Sequence, residues 1–240
     1  MLGVDKIAKY AKLFGLGEVT GIDLHHEKSG LVPTKEWKLA KTKETWLAGE
    51  TISISIGQGF DLVTPLQLVN AYGAFANGGT LWQPYLIKRI ELADGSLLKE
   101  FLPKKKGELT LSKKTIDILG SALWGVVNED GGTGSAARRL HADVCGKTGT
   151  SQVVGLPQGD KGRRDKKITA FQRDHALFVC FAPLKNPEIA IVVIAENAGH
   201  GGSAAAPIAR KMLDAYFEGK KKLKPAQVVA QHHLPEKLKN

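Results

Sequence analysis

Apolar and polar residues follow a helical period in several parts of the chain, most clearly after Thr64. There, apolar residues recur every three to four positions, as on the buried side of an amphipathic helix. Thr64 suits the N-cap, Pro65 the first helical position and Gln67 a capping box. The sequence therefore predicts a helix that Asn77-Gly78-Gly79 ends. Its predicted buried stripe comprises Leu68, Val69, Tyr72, Phe75 and Ala76.

Three further segments show the same period: residues 1–14, residues 112–128 and a closing helix over residues 203–217. A shorter helix is predicted to start within Pro33–Trp37, where a proline precedes good helix formers. One apolar face on each long helix is expected to pack against the rest of the domain. These faces carry Val4, Ile7, Ala8, Ala11 and Phe14; Ile116, Leu119, Leu123, Trp124 and Val127; and Ile208, Met212 and Tyr216.

Other segments alternate with period two, which is typical of strands. Residues 51–56 alternate strictly and are predicted to be a half-buried strand or extended segment, and residues 84–102 a hairpin that turns at Asp94-Gly95. Strands near 143–154, 175–182 and 188–196 are expected to pair in sequence as an antiparallel sheet. We therefore predict an α/β (α+β) fold in which the closing helix packs on this sheet. The helices around 64–77 and 112–128 are expected on the helical side of a cleft.

The charge and length of the chain limit the classes of protein to which it can belong. The chain has 240 residues and a formal net charge of +10, which raises nucleic acid as a partner. The basic residues lie in separate clusters without interleaved aromatic residues, so we expect no nucleic-acid binding. The longest apolar run, residues 189–195, is far shorter than the roughly 20 residues of a membrane span. The clusters are Lys104–Lys106, Arg163–Arg164 with Lys166–Lys167, and Lys220–Lys222 with Lys224.

The candidate site is the Lys147-Thr148-Gly149-Thr150 stretch of the strand predicted at 143–154. Alternation places Lys147 and Gly149 on one face, and Thr148 and Thr150 on the other. Gly149 lets a ligand approach the backbone, so a lysine, two hydroxyls and free N–H groups can surround a carboxylate. An exposed edge strand whose lysine prevents aggregation fits the same four residues.

Other polar residues are expected to be structural, and no metal or cofactor is predicted. Asp174 and His175 are consecutive on a strand and point apart, His25-His26 beside Glu27 lacks workable ligand spacing, and His200 marks a tight turn. Cys145 and Cys180 lie in predicted strands and are expected to be buried free thiols. The polar stretch 155–174 is long enough to shape the mouth of a cleft. Its Arg163, Arg164, Lys166 and Lys167 contact substrate or a partner, or are simply solvated.

The order of several motifs resembles the penicillin-binding transpeptidase domains, which share their fold with the serine β-lactamases. The resemblance is strongest to class B penicillin-binding proteins of the elongation type, the penicillin-binding protein 2 group. It covers residues 1–218, and the basic tail 219–240 is expected to be disordered. The motifs that carry it are residues 21–24, 30–37, 53–59, 64–68, 74–79 and 147–150, and residues 174–176 through 181–183.

The resemblance implies acyl transfer: an active-site serine attacks the D-Ala-D-Ala end of a peptidoglycan stem peptide, and β-lactams acylate the same serine. Lys147 then supplies positive charge near the serine and the substrate carboxylate. Thr148 and Thr150 bind that carboxylate, beside Gly149, and the Thr150 N–H forms half of the oxyanion hole. Implied partners of the intact protein are a membrane-embedded glycosyltransferase and elongation-complex proteins, at the periplasmic face of the cytoplasmic membrane.

Two of the three motifs of this family, S-x-x-K, S-D-N and K-T-G, are not found in their places. The S-x-x-K pattern occurs at Ser96, inside the predicted hairpin and in the wrong order, and no S-x-N pattern occurs. We therefore expect the chain to be the C-terminal part of a transpeptidase domain, inactive by itself. The alternative is a catalytically dead remnant that acts only as a binding module.

Overall fold

The computed structural model describes residues 2–153 and 169–222, with side chains up to residue 220. The helices are α1 (Val4–Leu13), α2 (Lys35–Thr42), α3 (Ala48–Ser55), α4 (Pro65–Ala76), α5 (Lys113–Asn128) and α6 (Ala206–Lys222). The strands are β1 (Thr80–Gln83), β2 (Arg89–Glu91), β3 (Leu97–Glu100), β4 (Lys104–Glu108), β5 (Cys145–Ser151), β6 (His175–Ala182) and β7 (Ile189–Ala195).

The central sheet has three strands in the order β5-β6-β7, and both pairs are antiparallel. This confirms the predicted α/β fold with its antiparallel sheet and sequential pairing. The register places Thr148 opposite Phe178 and Phe178 opposite Val193, while Gly149 is opposite Leu177 and Leu177 opposite Ile194. Neighbouring rows of side chains point to opposite faces of a sheet. We call the face of Phe178 the closed face and the face of Leu177 the open face.

Helix α6 and the π-helical turn Gly201–Ala205 before it cover the closed face. Phe178 and Leu213 are fully buried there. Alanines at the contact let α6 approach the sheet closely. The closing helix is thus confirmed, but its buried face is not the predicted one, because Ile208 and Met212 are 44% and 47% exposed. The contact alanines are Ala205, Ala206 and Ala209.

Helix α4 crosses the open face over β6 and β7. Thr64 caps it as predicted: its hydroxyl accepts the Gln67 N–H, and the Gln67 side chain accepts the Thr64 N–H. Of the predicted stripe only Phe75 is buried, and the helix also buries the small residues Ala71 and Ala74, which the prediction did not include. The predicted helix over 112–128 is α5, although Leu119 is 40% exposed.

Residues 51–55 lie in α3 and Ile56 is its C-cap residue, instead of the predicted strand or extended segment. The N-terminus of α3 is fixed by Glu50, whose carboxylate accepts the Leu47 N–H at 2.7 Å. The same carboxyl group accepts a bond from the buried Lys38 ammonium at 2.6 Å. Strand propensity of alternating isoleucine and serine is weak against such tertiary contacts.

Two small sheets complete the fold. Strands β1 and β4 form one, and the hairpin of β2 and β3 forms the other. The hairpin confirms the one predicted over 84–102, and every residue of its two strands is exposed. Ser96 lies in its turn, where the Ser96 hydroxyl donates to the Asp94 carboxylate at 2.6 Å.

The remaining expectations concern the ends and the long loop. Helix α6 runs to Lys222, past the domain boundary expected at residue 218, and the rest of the basic tail lies outside the described residues. Arg163, Arg164, Lys166 and Lys167 also lie outside them. None of the described helices combines the length and apolar character needed to cross a membrane.

Candidate functional site

The outer edge of β5 is the candidate site, because β6 pairs with the other edge. The Thr150 carbonyl accepts a hydrogen bond from Gln58 Nε2 at 3.0 Å, so this carbonyl points away from β6. In a strand the N–H and C=O of one residue point to the same edge, and so do those of the second residue along. Thr148 and Thr150 therefore both direct their backbone N–H groups to the open edge.

Lys147 is exposed at this edge. Its ammonium donates to the Thr148 carbonyl at 2.9 Å. The positive charge thus lies beside the backbone groups of Thr148, although the Lys147 side chain leaves the strand on the opposite face. Alternation on the strand is as predicted, and the bend of the lysine side chain brings its charge to the edge.

The Thr148 hydroxyl meets the Thr133 hydroxyl at 3.0 Å on the closed side of β5. Thr133 lies in the turn between α5 and the 3₁₀ turn Ser135–Ala137. Each hydroxyl has one donor and two acceptor positions. The pair therefore keeps positions free for a ligand oxygen.

The π-helical turn packs directly on the β5 backbone. A Cβ atom at Gly201 would lie 2.0 Å from the Leu177 carbonyl oxygen and 2.6 Å from that of Gly149. A Cβ atom at Gly202 would lie 2.3 Å from the Thr133 carbonyl oxygen. Glycine is required at both positions, since only a bare backbone fits against the β5 and β6 backbones at Gly201 and against the Thr133 turn at Gly202. The close contact of the turn with β5 fixes the position of Gly149 and Thr148 relative to the turn.

On the open face, a cavity of about 410 Å³ reaches the same strand end. It lies between α1, the turn after α3, the start of α4 and the sheet. Most of its lining is apolar, and it is bounded by Gly149, Thr150 and Ser151 on the β5 side. The apolar lining includes Ile7, Ala11, Ile56, Leu68, Leu177 and Ile194.

Asp61 is the one acidic residue in the lining of this cavity. Removal from water raises the pKa of its carboxyl group to about 6. A carboxyl group in this range changes charge just below neutral pH. The cavity therefore carries a titratable carboxyl group on a mostly apolar wall.

The residues expected to be structural have structural contacts. His175 Nδ1 accepts the Asn197 N–H at 2.9 Å, and Asp174 accepts the Val153 N–H at 3.4 Å. Glu27 accepts bonds from Thr20 and Gly21. His200 immediately precedes the π-helical turn. In residues 2–153 and 169–222, no three His, Cys, Asp or Glu side chains come together as a metal site.

Cys145 and Cys180 are buried free thiols, as predicted. Burial raises the pKa of each thiol to about 12. At neutral pH both therefore stay protonated, and neither suits the role of nucleophile.

Sequence reasoning missed three residues of the site: Gln58, Thr133 and Asp61. Gln58 lies between two glycines in a turn, and Thr133 lies in a glycine-rich turn. A polar side chain in such a turn is a usable signal of a functional contact, because the turn restricts the direction of the side chain. Neither signal reveals which strand it meets, since Gln58 and Thr150 are 92 positions apart.

The chain matches known proteins over nearly its whole length. The model of the penicillin binding protein transpeptidase domain matches residues 1–214. The peptidoglycan D,D-transpeptidase MrdA of Haemophilus influenzae is 38% identical over 222 residues, which cover 90% of this chain and 33% of that protein. This chain therefore spans about a third of the length of that relative.

Two solved structures are similar in fold. Pseudomonas aeruginosa PBP2, in complex with WCK 5153, superposes with a TM-score of 0.74 at 33% identity, covering 94% of this chain and 45% of that one. Helicobacter pylori PBP2, in its complex with MreC, gives 0.71 at 29% identity, covering 91% and 37%. Together with the matched domain model, the sheet and its Lys-Thr-Gly-Thr strand show that the chain belongs to the penicillin-binding protein transpeptidase family.

Proposed function

We propose that this chain provides the substrate-binding and oxyanion side of a serine D,D-transpeptidase that crosslinks peptidoglycan during cell-wall elongation. The observation that carries the proposal is the convergence of donors at the outer edge of β5. The Lys147 ammonium, the hydroxyls of Thr148 and Thr133, and two backbone N–H groups meet there. Several donors and one positive charge favour a ligand that presents a carboxylate and a developing oxyanion.

In this proposal Lys147 attracts the terminal carboxylate of a D-Ala-D-Ala peptide, and Thr148 and Thr150 hydrogen-bond to it. Gly149 keeps the approach to the backbone open. The serine oxygen attacks the carbonyl of the penultimate D-Ala, its proton leaves to a base, and the terminal D-Ala departs with a proton on its new amino group. The resulting ester is then attacked by an amine of a second stem peptide, which restores the serine. The Thr150 N–H donates to the oxyanion formed in both steps.

The nucleophile in this proposal comes from outside these 240 residues. Ser96 is held by Asp94 in an exposed hairpin turn, away from β5 in the chain and in a separate sheet. The mostly apolar cavity beside Gly149, Thr150 and Ser151 is a suitable packing site for an apolar helix. A helix that carries the serine on the side facing β5 would bring its oxygen to the donors.

The partners and location follow the relatives. We propose that the complete protein works with a membrane-embedded glycosyltransferase and elongation-complex proteins on the extracytoplasmic side of the membrane. The solved complex of Helicobacter pylori PBP2 with MreC supports such a partner. β-Lactams are the expected inhibitors, because they acylate the serine that the stem peptide acylates. We propose no nucleic-acid partner, and no cofactor is needed for these steps.

Binding of the dipeptide end can be measured on the 240-residue chain. We expect diacetyl-L-lysyl-D-alanyl-D-alanine to bind, and Lys147→Met to weaken its binding about tenfold, the size of a lost charge-assisted hydrogen bond. Calorimetric titration measures both affinities. Lys113→Met is the matched control, since Lys113 lies on α5 and, among the described residues, pairs only with Asp117. Equal affinity of the wild type and Lys147→Met would contradict the proposal.

Acylation tests the missing nucleophile. The chain alone is expected to form no covalent adduct with a fluorescent penicillin, whereas a fusion to the serine-bearing segment of a relative is expected to form one. In the fusion, Thr150→Pro removes the N–H donor and should slow acylation by about 10²–10³. Thr150→Ser, which keeps the N–H and the hydroxyl, should be mild. An adduct that mass spectrometry maps to Ser96 of the unfused chain would contradict this assignment, and an unlabelled fusion would favour the dead remnant.

A further inference from the structure

The turn after α3 meets the candidate site through a single side chain. Gln58 Nε2 donates to the Thr150 carbonyl at 3.0 Å. We propose that Gln58 is a positioning residue, which holds the Thr150 backbone so that its N–H faces the reacting carbonyl. This inference rests on the proposed function, because it assigns a task within the same site.

Gln58 bonds to the Thr150 carbonyl oxygen, so the contact leaves the Thr150 N–H available for a ligand. A carbonyl oxygen has two acceptor positions, so the Gln58 amide occupies one and a ligand amide can still use the other. The direction of the Thr150 carbonyl and the direction of its N–H are linked by the two backbone dihedral angles of that residue. Holding the carbonyl therefore restricts the orientation of the N–H.

Gln58 is itself held in place by its turn. Its N–H donates to the Ser53 carbonyl at 2.9 Å, and the Gly57 N–H donates to the Ile54 carbonyl at 2.9 Å. Gly57 and Gly59 adopt φ angles of 75° and 81°, which other residues rarely reach. The turn therefore presents the Gln58 side chain in one direction without a large entropic cost on ligand binding.

The helix that carries the turn is anchored at its first residues by the ion pair of the buried Lys38 with the part-buried Glu50. Lys38 is only 2% exposed, and its ammonium donates to Glu50 at 2.6 Å and to the Thr45 carbonyl at 3.0 Å. Glu50 lies in the first turn of α3 and Gln58 follows the end of α3. The ion pair thus fixes the helix that carries the turn, and the turn carries the amide to β5.

The end of β5 needs such support. Beyond Thr150 the strand reaches Ser151 and then leaves the sheet, and the open face beside it borders the cavity. Across this outer edge, Gln58 makes the one described side-chain hydrogen bond to the Thr150 backbone. The inner edge stays paired with β6, where Thr150 lies opposite Ala176 and Ser151 opposite His175, so loss of the Gln58 bond loosens only the outer edge of the last peptide units of β5. Ordering these peptide units would then reduce the net free energy of ligand binding.

The test uses Gln58→Met in the full chain, a change that keeps the length of the side chain and removes its donor. Asn70→Leu is the matched control, because the Asn70 amide also donates to a backbone carbonyl, that of Trp82, at 3.0 Å. The first readout is the ¹³C carbonyl resonance of Thr150, which should move upfield in Gln58→Met and stay in place in Asn70→Leu. The second is the affinity for diacetyl-L-lysyl-D-alanyl-D-alanine.

We expect Gln58→Met to weaken this affinity about fivefold, as for one lost hydrogen bond, and to lower the melting temperature no more than Asn70→Leu does, since each variant loses one amide–carbonyl bond. Asn70→Leu should leave the affinity unchanged. Wild-type affinity in Gln58→Met together with a shifted carbonyl resonance would overturn the positioning role and leave the proposed function standing. Tighter binding in Gln58→Met would show instead that Gln58 competes with the ligand. A wild-type chain that does not bind the peptide would overturn the proposed function, and the positioning role with it.

Discussion

The two faces of the central sheet differ at neighbouring rows of residues. On the closed face Phe178 and Val193 are 0% and 8% exposed, under α6 and the π-helical turn. One residue along, on the open face, Leu177 borders the cavity and Ile194 is 43% exposed. The two rows have similar apolar side chains and the same strands, so the difference comes from what covers them.

The two faces therefore contribute differently to the candidate site on β5. The closed face supplies the rigid support, because the turn at Gly201 and Gly202 is in contact with the backbone on which Thr148 and Gly149 lie. The open face and the outer edge leave room for a ligand and for a further helix. Sites that are held on rigid elements keep their donors in place. A sheet that is covered on one face and open beside β5 on the other therefore suits the binding edge proposed above.

Phe178→Ala should give the largest effect, since it removes the largest buried side chain of the closed face. Truncation of a buried phenylalanine costs about 4 kcal/mol of the free energy of unfolding. Chemical denaturation followed by circular dichroism measures the change. A loss below about 1 kcal/mol would mean that the closed face tolerates cavities and is not the support of the site.

Gly201→Ala should come next. The new methyl group has no room beside the carbonyl oxygens of Leu177 and Gly149, so the π-helical turn must move away from β5. Overpacking of this kind costs about 3 kcal/mol. The same denaturation experiment measures it, and Gly199→Ala is not a suitable control because Gly199 has a positive φ. Gly49→Ala is the control, because Gly49 lies in α3 with open space around the new methyl group, and it should be neutral to slightly stabilising.

Leu177→Ala sharpens the comparison on the open face. Because Leu177 is half-buried at the cavity, its truncation should cost about 1.5 kcal/mol, less than half of the Phe178 effect. Equal losses of the free energy of unfolding in Leu177→Ala and Phe178→Ala would show that both faces contribute equally to stability. That result would contradict the comparison between them.

Asp61→Asn should have the smallest effect, and the opposite sign. The pKa of Asp61 is raised to about 6 in the folded chain, so the folded state binds more protons than the unfolded state between about pH 4 and pH 6. The carboxyl group therefore lowers stability as the pH rises through this window. Asp61→Asn should raise the free energy of unfolding at pH 7.5 by about 1 kcal/mol, allowing for solvent screening of a half-buried group.

The pH series contains its own control. Near pH 2.5, well below the ordinary pKa of 3.8, Asp61 is neutral in both states, so wild type and Asp61→Asn should have the same stability. A gain that is equal at both pH values would show that the amide packs better, and that the desolvated charge is not the cause.

Sequence patterns predicted the central sheet because its strands are short and sequential, and because β6 and β7 are apolar. They also predicted the capping box of α4, which depends on residues three positions apart. The family followed from the order of several motifs. These features share one property: local residues decide them.

The wrong predictions depended on distant contacts. Residues 51–55 lie in a helix, since Glu50 and the buried Lys38 fix its start. The face of α6 that packs on the sheet carries alanines instead of Ile208 and Met212, and a pattern based on large apolar residues cannot find it. Gln58 was missed for the same reason, because its partner Thr150 lies far along the chain.

Strand β7 has a consequence for work with the purified chain. Its seven residues, Ile189–Ala195, are all isoleucine, valine or alanine, and no described strand pairs with its outer edge. That edge has no lysine or proline of the kind that blunts exposed strands. Concentrated stocks should therefore slowly form intermolecular β-ribbons that scatter light. Dilute, freshly prepared samples are the right starting material for every titration described above.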